Sequence, residues 1–291
     1  MNFGRIAKPD KIQFGSDLTK MRGGRPMQTC LTGLAIFLLL FCGTTDAQDL
    51  GDQIRHLKSG RDVERMWELI STMDQAHRGL NTVDSIDNLN FKRMVLLIQY
   101  HGYPKSSIVP NMVFTHQRSA YVREHYFRIL QDAYNDGNAD EYWFLHNVRG
   151  MHRERFGFDL LQPTTTNYEQ LLSRLSPFLN DSLTYDLAPF DPLFSTYITD
   201  VQRITNSPAN HRWVNKEGDR ISIHSVDDKL YLFKLWGDGS YGLPQQIRSD
   251  KSTGKYTFVE PANKAYLAID TSGNLTIKGG NWRPQFYRVV N

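Results

Sequence analysis

Apolar residues recur at helical spacing through the first two thirds of the chain. After Gly60, the apolar residues Val63, Met66, Ile70 and Met73 follow one another at intervals of three and four. This spacing places them on one face of an amphipathic helix that ends near residue 78. The same periodicity predicts further helices over 86–101, 119–136 and 140–154, and a fifth that begins at Thr166 with a capping box.

The period changes from about 3.6 to two near residue 205, which predicts short strands separated by glycine-containing turns. The predicted strands are 220–226, 229–236, 243–248, 255–260, 264–270, 274–278 and 286–290. Seven such strands indicate a small antiparallel β barrel or sandwich. The fold class predicted is therefore α+β, with a helical domain of about five helices at 48–176 and a β domain at 208–291. The segment between them, 177–207, shows no clean period and is predicted to be an irregular connector.

An uncharged apolar run at 31–42 follows Arg22 and Arg25 and precedes a small polar stretch that ends at Ala47. This order is typical of a signal peptide, predicted at about 21–47 and removed near Ala47. A run of about 12 residues is also short for a membrane span, which needs about 20 residues in helical form. We therefore expect a periplasmic or secreted protein without a transmembrane span after processing.

Two details of the leader shape this expectation. Residues 1–20 do not resemble a leader, so Met21 or Met27 is the expected start of translation. An acylated N-terminal cysteine at Cys42 is disfavoured, because the bulky Phe41 stands where a lipoprotein signal usually has a small residue.

Removing the leader changes the charge and the cysteine content. The chain has 34 Lys+Arg and 31 Asp+Glu, and the leader contributes six and three of these, which leaves 28 of each sign. A neutral chain without a cationic block is not typical of a nucleic-acid binder. The only two cysteines, Cys30 and Cys42, both lie in the leader, so the mature chain is expected to hold no disulfide and no thiolate metal site.

Known catalytic motifs are absent from the sequence. It contains no Gly-x-Ser-x-Gly elbow, no glycine-rich phosphate or dinucleotide loop and no His-Glu-x-x-His pair. The histidines are spaced poorly for a metal site, since His146 and His152 are six residues apart and fall on different helix faces. No metal and no cofactor are therefore expected.

Polar residues in the helical part follow a recognisable order: Asp74-Gln75-x-x-Arg78, then Asp87, then Tyr100-His101-Gly102-Tyr103-Pro104, then His116 ahead of a long helix. Over roughly 60–160 this order resembles an uncharacterised bacterial family, number 6624 in the domain-of-unknown-function series. The resemblance implies a helical fold and candidate positions for a polar site. The resemblance does not extend to the β domain. Where the family has an aspartate-arginine pair, residues 144–149 of this chain read Phe-Leu-His-Asn-Val-Arg.

These positions suggest a site. His116 is a candidate general base, because the ordinary pKa of an imidazole is about 6.5. Asp74 is a second catalytic candidate, and Gln75 with Arg78 would bind an anionic group. His146 and Arg149, spaced by three on the fourth predicted helix, would complete the pocket. The competing interpretation is a solvated helix end at Asp74, Gln75 and Arg78, and a histidine at 116 that is hydrogen-bonded locally.

Two function classes remain open. The first is a binding or interaction protein of the cell envelope, in which the β domain presents a surface to a small molecule or an envelope protein. The second is a hydrolase-type enzyme that uses a polar pocket around His116 and Arg78. A carboxylate within hydrogen-bond reach of His116 would favour the enzyme.

Overall fold

The computed structural model describes residues 47–77, 83–105, 107–156, 168–237, 239–250, 252–259, 265–278 and 285–290. These residues belong to one compact unit that spans 46–291. Residues 1–46 of the predicted leader, Arg78 and Thr166 lie outside the described residues, whereas Ala47, at the predicted cleavage point, is described. Within the described ranges, no helix combines the length and the apolar character that crossing a membrane requires.

The N-terminal part of the described chain is helical, as predicted. Its α-helices are α1 (Ala47–Arg55), α2 (Gly60–Ala76), α3 (Val83–His101), α4 (Val109–His116), α5 (Ala120–Asn135), α6 (Glu141–Phe156), α7 (Tyr168–Leu175) and α8 (Phe190–Thr205), with a short 3₁₀ turn at Ser176–Phe178. The periodicity located α2, α3, α5 and α6 and did not reveal α1, α4 and α8.

The prediction of an irregular connector over 177–207 is wrong in its second half, where α8 occupies Phe190–Thr205. Two prolines of this segment lie at the start of the helix, with Pro189 at the N-cap and Pro192 in the first turn. The first backbone N–H groups of a helix have no intrahelical acceptor, so a proline there loses no helical hydrogen bond. One buried face, formed by Phe190, Tyr197, Val201 and Ile204, holds α8 against its neighbours.

Local sequence explains where two helices near the site begin. Ser59 caps α2 through a reciprocal pair, in which its side chain accepts from the Asp62 N–H and the Asp62 carboxylate accepts from the Ser59 N–H, both at 3.2 Å. Ser119 caps α5 by accepting from the Val122 N–H at 3.2 Å. This second cap starts α5 four residues after α4 ends at His116.

The C-terminal part is a closed antiparallel barrel of eight strands joined in sequence order. The strands are β1 (Ala209–Val214), β2 (Arg220–Val226), β3 (Lys229–Leu235), β4 (Gln245–Asp250), β5 (Lys255–Phe258), β6 (Tyr266–Ile269), β7 (Leu275–Lys278) and β8 (Gln285–Val289). The seven predicted strands correspond to β2–β8. β1 was missed because its residues do not alternate in polarity, and its pairing with both β2 and β8 closes the barrel.

The barrel interior is a packed apolar core. Its buried residues are Trp213, Ile221, Ile223, Leu232, Ile247, Leu267, Leu275, Ile277 and Tyr287. The indole Nε1 of Trp213 donates to the Gly273 carbonyl at 2.8 Å, which satisfies the polar atom of this buried ring. Side chains fill an eight-stranded barrel of this kind, so its interior acts as a scaffold.

The barrel joins the helical part at the C-terminal end of α6. The Leu243 N–H donates to the Glu154 carbonyl at 2.9 Å, and the Gln245 side-chain amide donates to the Arg155 carbonyl at 2.7 Å. The backbones approach closely at Gly242, where an added Cβ would lie 3.1 Å from the Glu154 carbonyl oxygen. A shared apolar cluster of Ala120, Tyr197, Val201 and Leu243 packs beside this junction.

Candidate functional site

A polar cleft of about 560 Å³ lies between the helical part and the barrel. Its walls come from the N-terminal half of α3, the segment from Thr115 to Arg118, one face of α6, and the loop from Gly239 to Tyr241 between β3 and β4. A volume of this size accommodates a small molecule. We call this space the interdomain cleft.

The cleft contains a histidine supported by a buried carboxylate. His116 Nδ1 lies 2.9 Å from Asp74 Oδ1, and the two side chains are 29 % and 1 % exposed. An ionised carboxylate only accepts hydrogen bonds, so Nδ1 donates and the neutral ring carries its lone pair on Nε2. Gln75 Nε2 donates to the other carboxylate oxygen, Asp74 Oδ2, at 2.8 Å. Asp74 therefore fixes both the orientation and the tautomer of an imidazole that lines the cleft.

The structure brings together most of the residues that the sequence singled out. His116, Asp74 and Gln75 are linked directly, and His146 and Arg149 line the same cleft as His116. The interpretation of Asp74 as part of a solvated helix end is wrong, because its side chain is buried. The interpretation of His116 as locally hydrogen-bonded is also wrong, because its partner lies 42 residues earlier in the chain.

A network of side-chain amides holds the helix that carries His116. Thr115 Oγ1 donates to Asn147 Oδ1 at 2.8 Å, and Asn147 Nδ2 donates to Asn111 Oδ1 at 3.2 Å. Asn111 Nδ2 in turn donates to the Tyr103 hydroxyl at 3.0 Å. These buried bonds tie α4 to α6, so His116 and His146 keep a fixed relation across the cleft.

His146 is a second imidazole in the cleft. Its side chain is exposed on one side, and partial burial on the other side lowers its pKa. The positive charges of Arg149 and Arg153 lower the pKa further. Its ring also lies against the rings of Tyr142 and Trp143. Both effects on the pKa favour the neutral form of this imidazole.

Two arginines at the cleft contact the loop between β3 and β4. The Arg118 guanidinium lies 4.7 Å from the centre of the Tyr241 ring and 2.5 Å from Asp84 Oδ2. The Arg153 guanidinium lies 4.5 Å from the centre of the Trp236 ring, and its Nη2 donates to Ser240 Oγ at 3.3 Å. The barrel thus forms one wall of the cleft.

Sequence reasoning missed these contributors for different reasons. The sequence could have indicated Arg153, because His146, Arg149 and Arg153 follow at intervals of three and four and share one face of α6. Ser240 and Tyr241 carried no signal, because a serine and a tyrosine near a glycine are ordinary turn residues.

Two ion pairs lie beneath the cleft between α5 and α6. Arg123 pairs with Glu154, and Arg155 forms a two-pronged contact with Glu124 through Nε at 2.7 Å and Nη2 at 2.6 Å. Burial lowers the pKa of Arg123 to about 10. Burial also raises the pKa of Glu124, although the charge of Arg155 opposes that change. The two ion pairs hold α5 and α6 together, and α6 forms one wall of the cleft.

Comparisons with known proteins identified no relative: no family model, no curated protein and no solved structure matches the chain significantly. The geometry of the interdomain cleft is therefore the basis for assigning a function. Within the described ranges, no group of three or more His, Cys, Asp or Glu side chains is arranged to hold a metal ion.

Proposed function

We propose that the protein is an enzyme of the hydrolase type and that the interdomain cleft is its active site. The contact between His116 Nδ1 and the buried Asp74 carboxylate supports this proposal most directly. A histidine that a carboxylate orients in this way is the usual arrangement of a general base.

The proposed chemistry assigns a role to each residue of the pair. His116 Nε2 accepts a proton from a water molecule as the water oxygen forms a bond to the electrophilic atom of the substrate. The bond between that atom and the leaving group then breaks, and the protonated imidazole gives its proton to the leaving group. Asp74 accepts the hydrogen bond from Nδ1 throughout and stabilises the positive charge that develops on the imidazole. Water is the proposed nucleophile because His116 lines an open cleft that water can enter. His146 lines the same space, and a ring N–H of its imidazole is suited to donate a hydrogen bond to the reacting group.

The burial of Asp74 favours an enzyme over a protein that only binds. Moving a carboxylate out of water costs free energy unless hydrogen bonds compensate for the lost solvation. His116 and Gln75 provide such bonds, and they also leave the imidazole oriented towards the cleft. A binding site for a small molecule does not require this arrangement behind a histidine.

A turnover assay tests the proposal. The wild type should hydrolyse at least one substrate in a panel of p-nitrophenyl carboxylate, phosphate and phosphodiester compounds. His116→Gln and Asp74→Asn should each lower kcat/KM by about 10² to 10⁴, the usual contribution of a positioned base. His211→Gln, which changes an exposed histidine on β1, is the matched control and should leave turnover unchanged.

Chemical modification gives a second readout that does not depend on the substrate. Diethyl pyrocarbonate should modify His116 in the wild type, because Nε2 carries the lone pair, and mass spectrometry identifies the modified peptide. Asp74→Asn should slow that modification without lowering the modification of His211. Turnover that survives His116→Gln, or a His116 that does not react, would contradict the assignment.

An interaction protein of the cell envelope is a second candidate function. It is favoured by an exposed apolar group on β8, where Phe286 is 67 % exposed and Val289 lies nearby. Replacing Phe286 with serine should abolish binding to an envelope partner and leave turnover in the cleft unchanged. We also propose export with loss of the leader, which mass spectrometry of the mature protein would support by an N-terminus close to Gln48.

A further inference from the structure

We propose that the substrate of this enzyme is a neutral carbohydrate and that one of its sugar rings packs on Tyr142, next to the interdomain cleft. This inference rests on the proposed function and specifies the class of molecule on which it acts. It follows from an exposed aromatic ring that continues the cleft wall, from the way that ring is held, and from the mixture of hydrogen-bond donors and acceptors in the cleft.

Tyr142 extends the wall that α6 contributes to the cleft. It precedes His146 by four residues, so the two side chains are neighbours on one face of the helix. Their ring centroids lie 6.4 Å apart, and the rings are nearly parallel, at 21°. His146 lines the cleft, and Tyr142 is 69 % exposed. A ligand bound beside His146 therefore reaches the tyrosine ring along the protein surface.

Neighbouring groups hold the Tyr142 ring in place. Trp143 meets it edge to face, with centroids 5.4 Å apart and an interplanar angle of 84°. Asp140 Oδ1 accepts from the Trp143 N–H at 3.2 Å, which anchors the backbone at the start of α6. A ring that is positioned before binding loses little conformational freedom when a ligand packs on it.

The two aromatic rings on the barrel side of the cleft differ from Tyr142. The Arg118 guanidinium lies against the Tyr241 ring, and the Arg153 guanidinium lies against the Trp236 ring. These rings serve contacts within the protein, whereas Tyr142 presents apolar surface to solvent. The C–H groups along one side of a sugar ring pack well on the negatively polarised face of an aromatic ring.

The walls of the cleft suit an uncharged molecule with many hydroxyl groups. Three carboxylates and four guanidinium groups line the cleft. Arg118 contacts Asp84 and Arg123 contacts Glu154, and Arg149 and the third carboxylate are engaged in interactions as well. A charged ligand would compete with these contacts. A sugar hydroxyl both donates and accepts, so it can bond to a carboxylate or a guanidinium that keeps its present partner.

Glycan binding tests the inference. A printed array of neutral oligosaccharides identifies the glycan that the wild type binds best, and titration calorimetry with that glycan measures its affinity. Tyr142→Ala should weaken binding at least about fivefold, because the stacking surface is lost. Tyr142→Phe keeps the ring and should bind about as well as the wild type. Phe286→Ala removes a ring of similar exposure, 67 %, on β8 and is the matched control, with unchanged affinity expected.

Two further measurements locate the ligand and define its chemistry. Tryptophan emission should change on titration with the glycan, and Trp143→Phe should remove most of that change, because Trp143 contacts Tyr142. p-Cresol, an aromatic ring without a sugar's hydroxyl groups, should bind more weakly than the glycan.

Several results would overturn the inference. They are an array without binding, glycan binding that Tyr142→Ala does not weaken, an emission change that persists in Trp143→Phe, and tighter binding of p-cresol than of the glycan. Circular dichroism of Tyr142→Ala should match that of the wild type, since Tyr142 is exposed, so a loss of affinity reports on the ligand contact.

The two proposals fail in different ways. If turnover depends on His116 while no glycan binds, the substrate class is wrong and the general base remains. If a glycan binds through Tyr142 while His116→Gln leaves turnover unchanged, the general base is wrong and the carbohydrate site remains. His116→Gln should bind the glycan about as well as the wild type, since the variant keeps the Tyr142 ring.

Discussion

The helical part and the barrel bury different kinds of side chain. Among the described residues, the buried polar and charged side chains lie in the helical part, with the exception of His224 and Lys234. The barrel encloses an apolar core around Trp213 and Leu267. Burying polar groups costs stability unless every group finds a partner, whereas burying apolar groups stabilises directly. The contrast supports the proposal that the helical part carries the chemistry and that the barrel is a rigid support.

The difference extends to how each part tolerates substitution. A polar network loses its stability when a single partner is removed, because the remaining group stays buried without compensation. An apolar core loses stability in proportion to the volume removed. Changes in the helical part should therefore affect stability and turnover together, and changes in the barrel core should affect stability alone.

The largest effect on stability is expected at the ion pair beneath the cleft. Glu154→Gln should lower the free energy of unfolding by about 3–5 kcal/mol, because Arg123 keeps a buried charge without its carboxylate. Urea denaturation measures the loss. As the control, the double change of Arg123→Met with Glu154→Leu should recover most of it, because both charges are then absent. A loss below about 1 kcal/mol for Glu154→Gln would indicate that the pair is solvated.

A smaller loss is expected in the barrel core. Leu267→Ala should cost about 2–5 kcal/mol, since it removes a fully buried side chain from the packed interior. Where the variant remains folded, the rate of His116 modification should equal that of the wild type. Altered His116 reactivity in folded Leu267→Ala would show that the barrel does more than support the cleft.

The stability of the protein should depend on pH through His146. Burial, followed by the charges of Arg149 and Arg153, lowers the pKa of His146 in the folded state. The unfolded chain therefore takes up a proton at a higher pH than the folded chain does. The contribution to stability is present above the ordinary imidazole pKa of about 6.5 and is lost as the pH falls below it.

Urea denaturation above and below the ordinary imidazole pKa should show that the free energy of unfolding falls as the pH falls. His146→Gln should make this decrease smaller. Burial lowers the pKa of His224 in the barrel as well, so His146→Gln should not abolish the dependence. NMR titration should also show that Arg149→Gln raises the pKa of His146. A pKa unchanged in that variant would show that the charge of Arg149 does not act on His146.

The smallest effect is expected at the surface pair between α8 and the turn after β2. Arg203 and Asp227 lie 3.2 Å apart, with side chains 47 % and 76 % exposed. Asp227→Asn should change the free energy of unfolding by less than about 1 kcal/mol, because solvent and salt screen exposed pairs. Thermal denaturation at low and high salt measures this change in stability. A loss as large as that of Glu154→Gln would show that buried and exposed charge pairs contribute equally to stability.

Much of the architecture could be predicted from local pattern. The spacing of Val63, Met66 and Ile70 located α2, and alternating residues located seven of the eight strands. The elements that escaped prediction depend on tertiary context. The prolines of α8 are compatible with its first turn, and β1 holds its place through pairing with two neighbours.

The catalytic candidates of the site could be predicted from the sequence, whereas its geometry and its loop residues could not. The order of polar residues singled out His116 and Asp74, and chain separation concealed that they are hydrogen-bonded. The loop residues Ser240 and Tyr241 could not be found, because no pattern in the barrel sequence records which loop faces α6. Contacts between distant parts of a chain are set by packing, which local periodicity does not encode.

The junction between α6 and the barrel has a consequence for how this protein could evolve. The carbonyls of Glu154 and Arg155, near the end of α6, accept hydrogen bonds from Leu243 and Gln245 of the barrel part. Gly242 lets the two backbones approach, and a larger residue there would meet Trp236 and the Glu154 carbonyl. A gene fragment that encodes only the helices would leave these carbonyls exposed beside the Arg123–Glu154 pair. The two halves are therefore poor units for recombination, and any exchange of the barrel for another must bring its own donors to the end of α6.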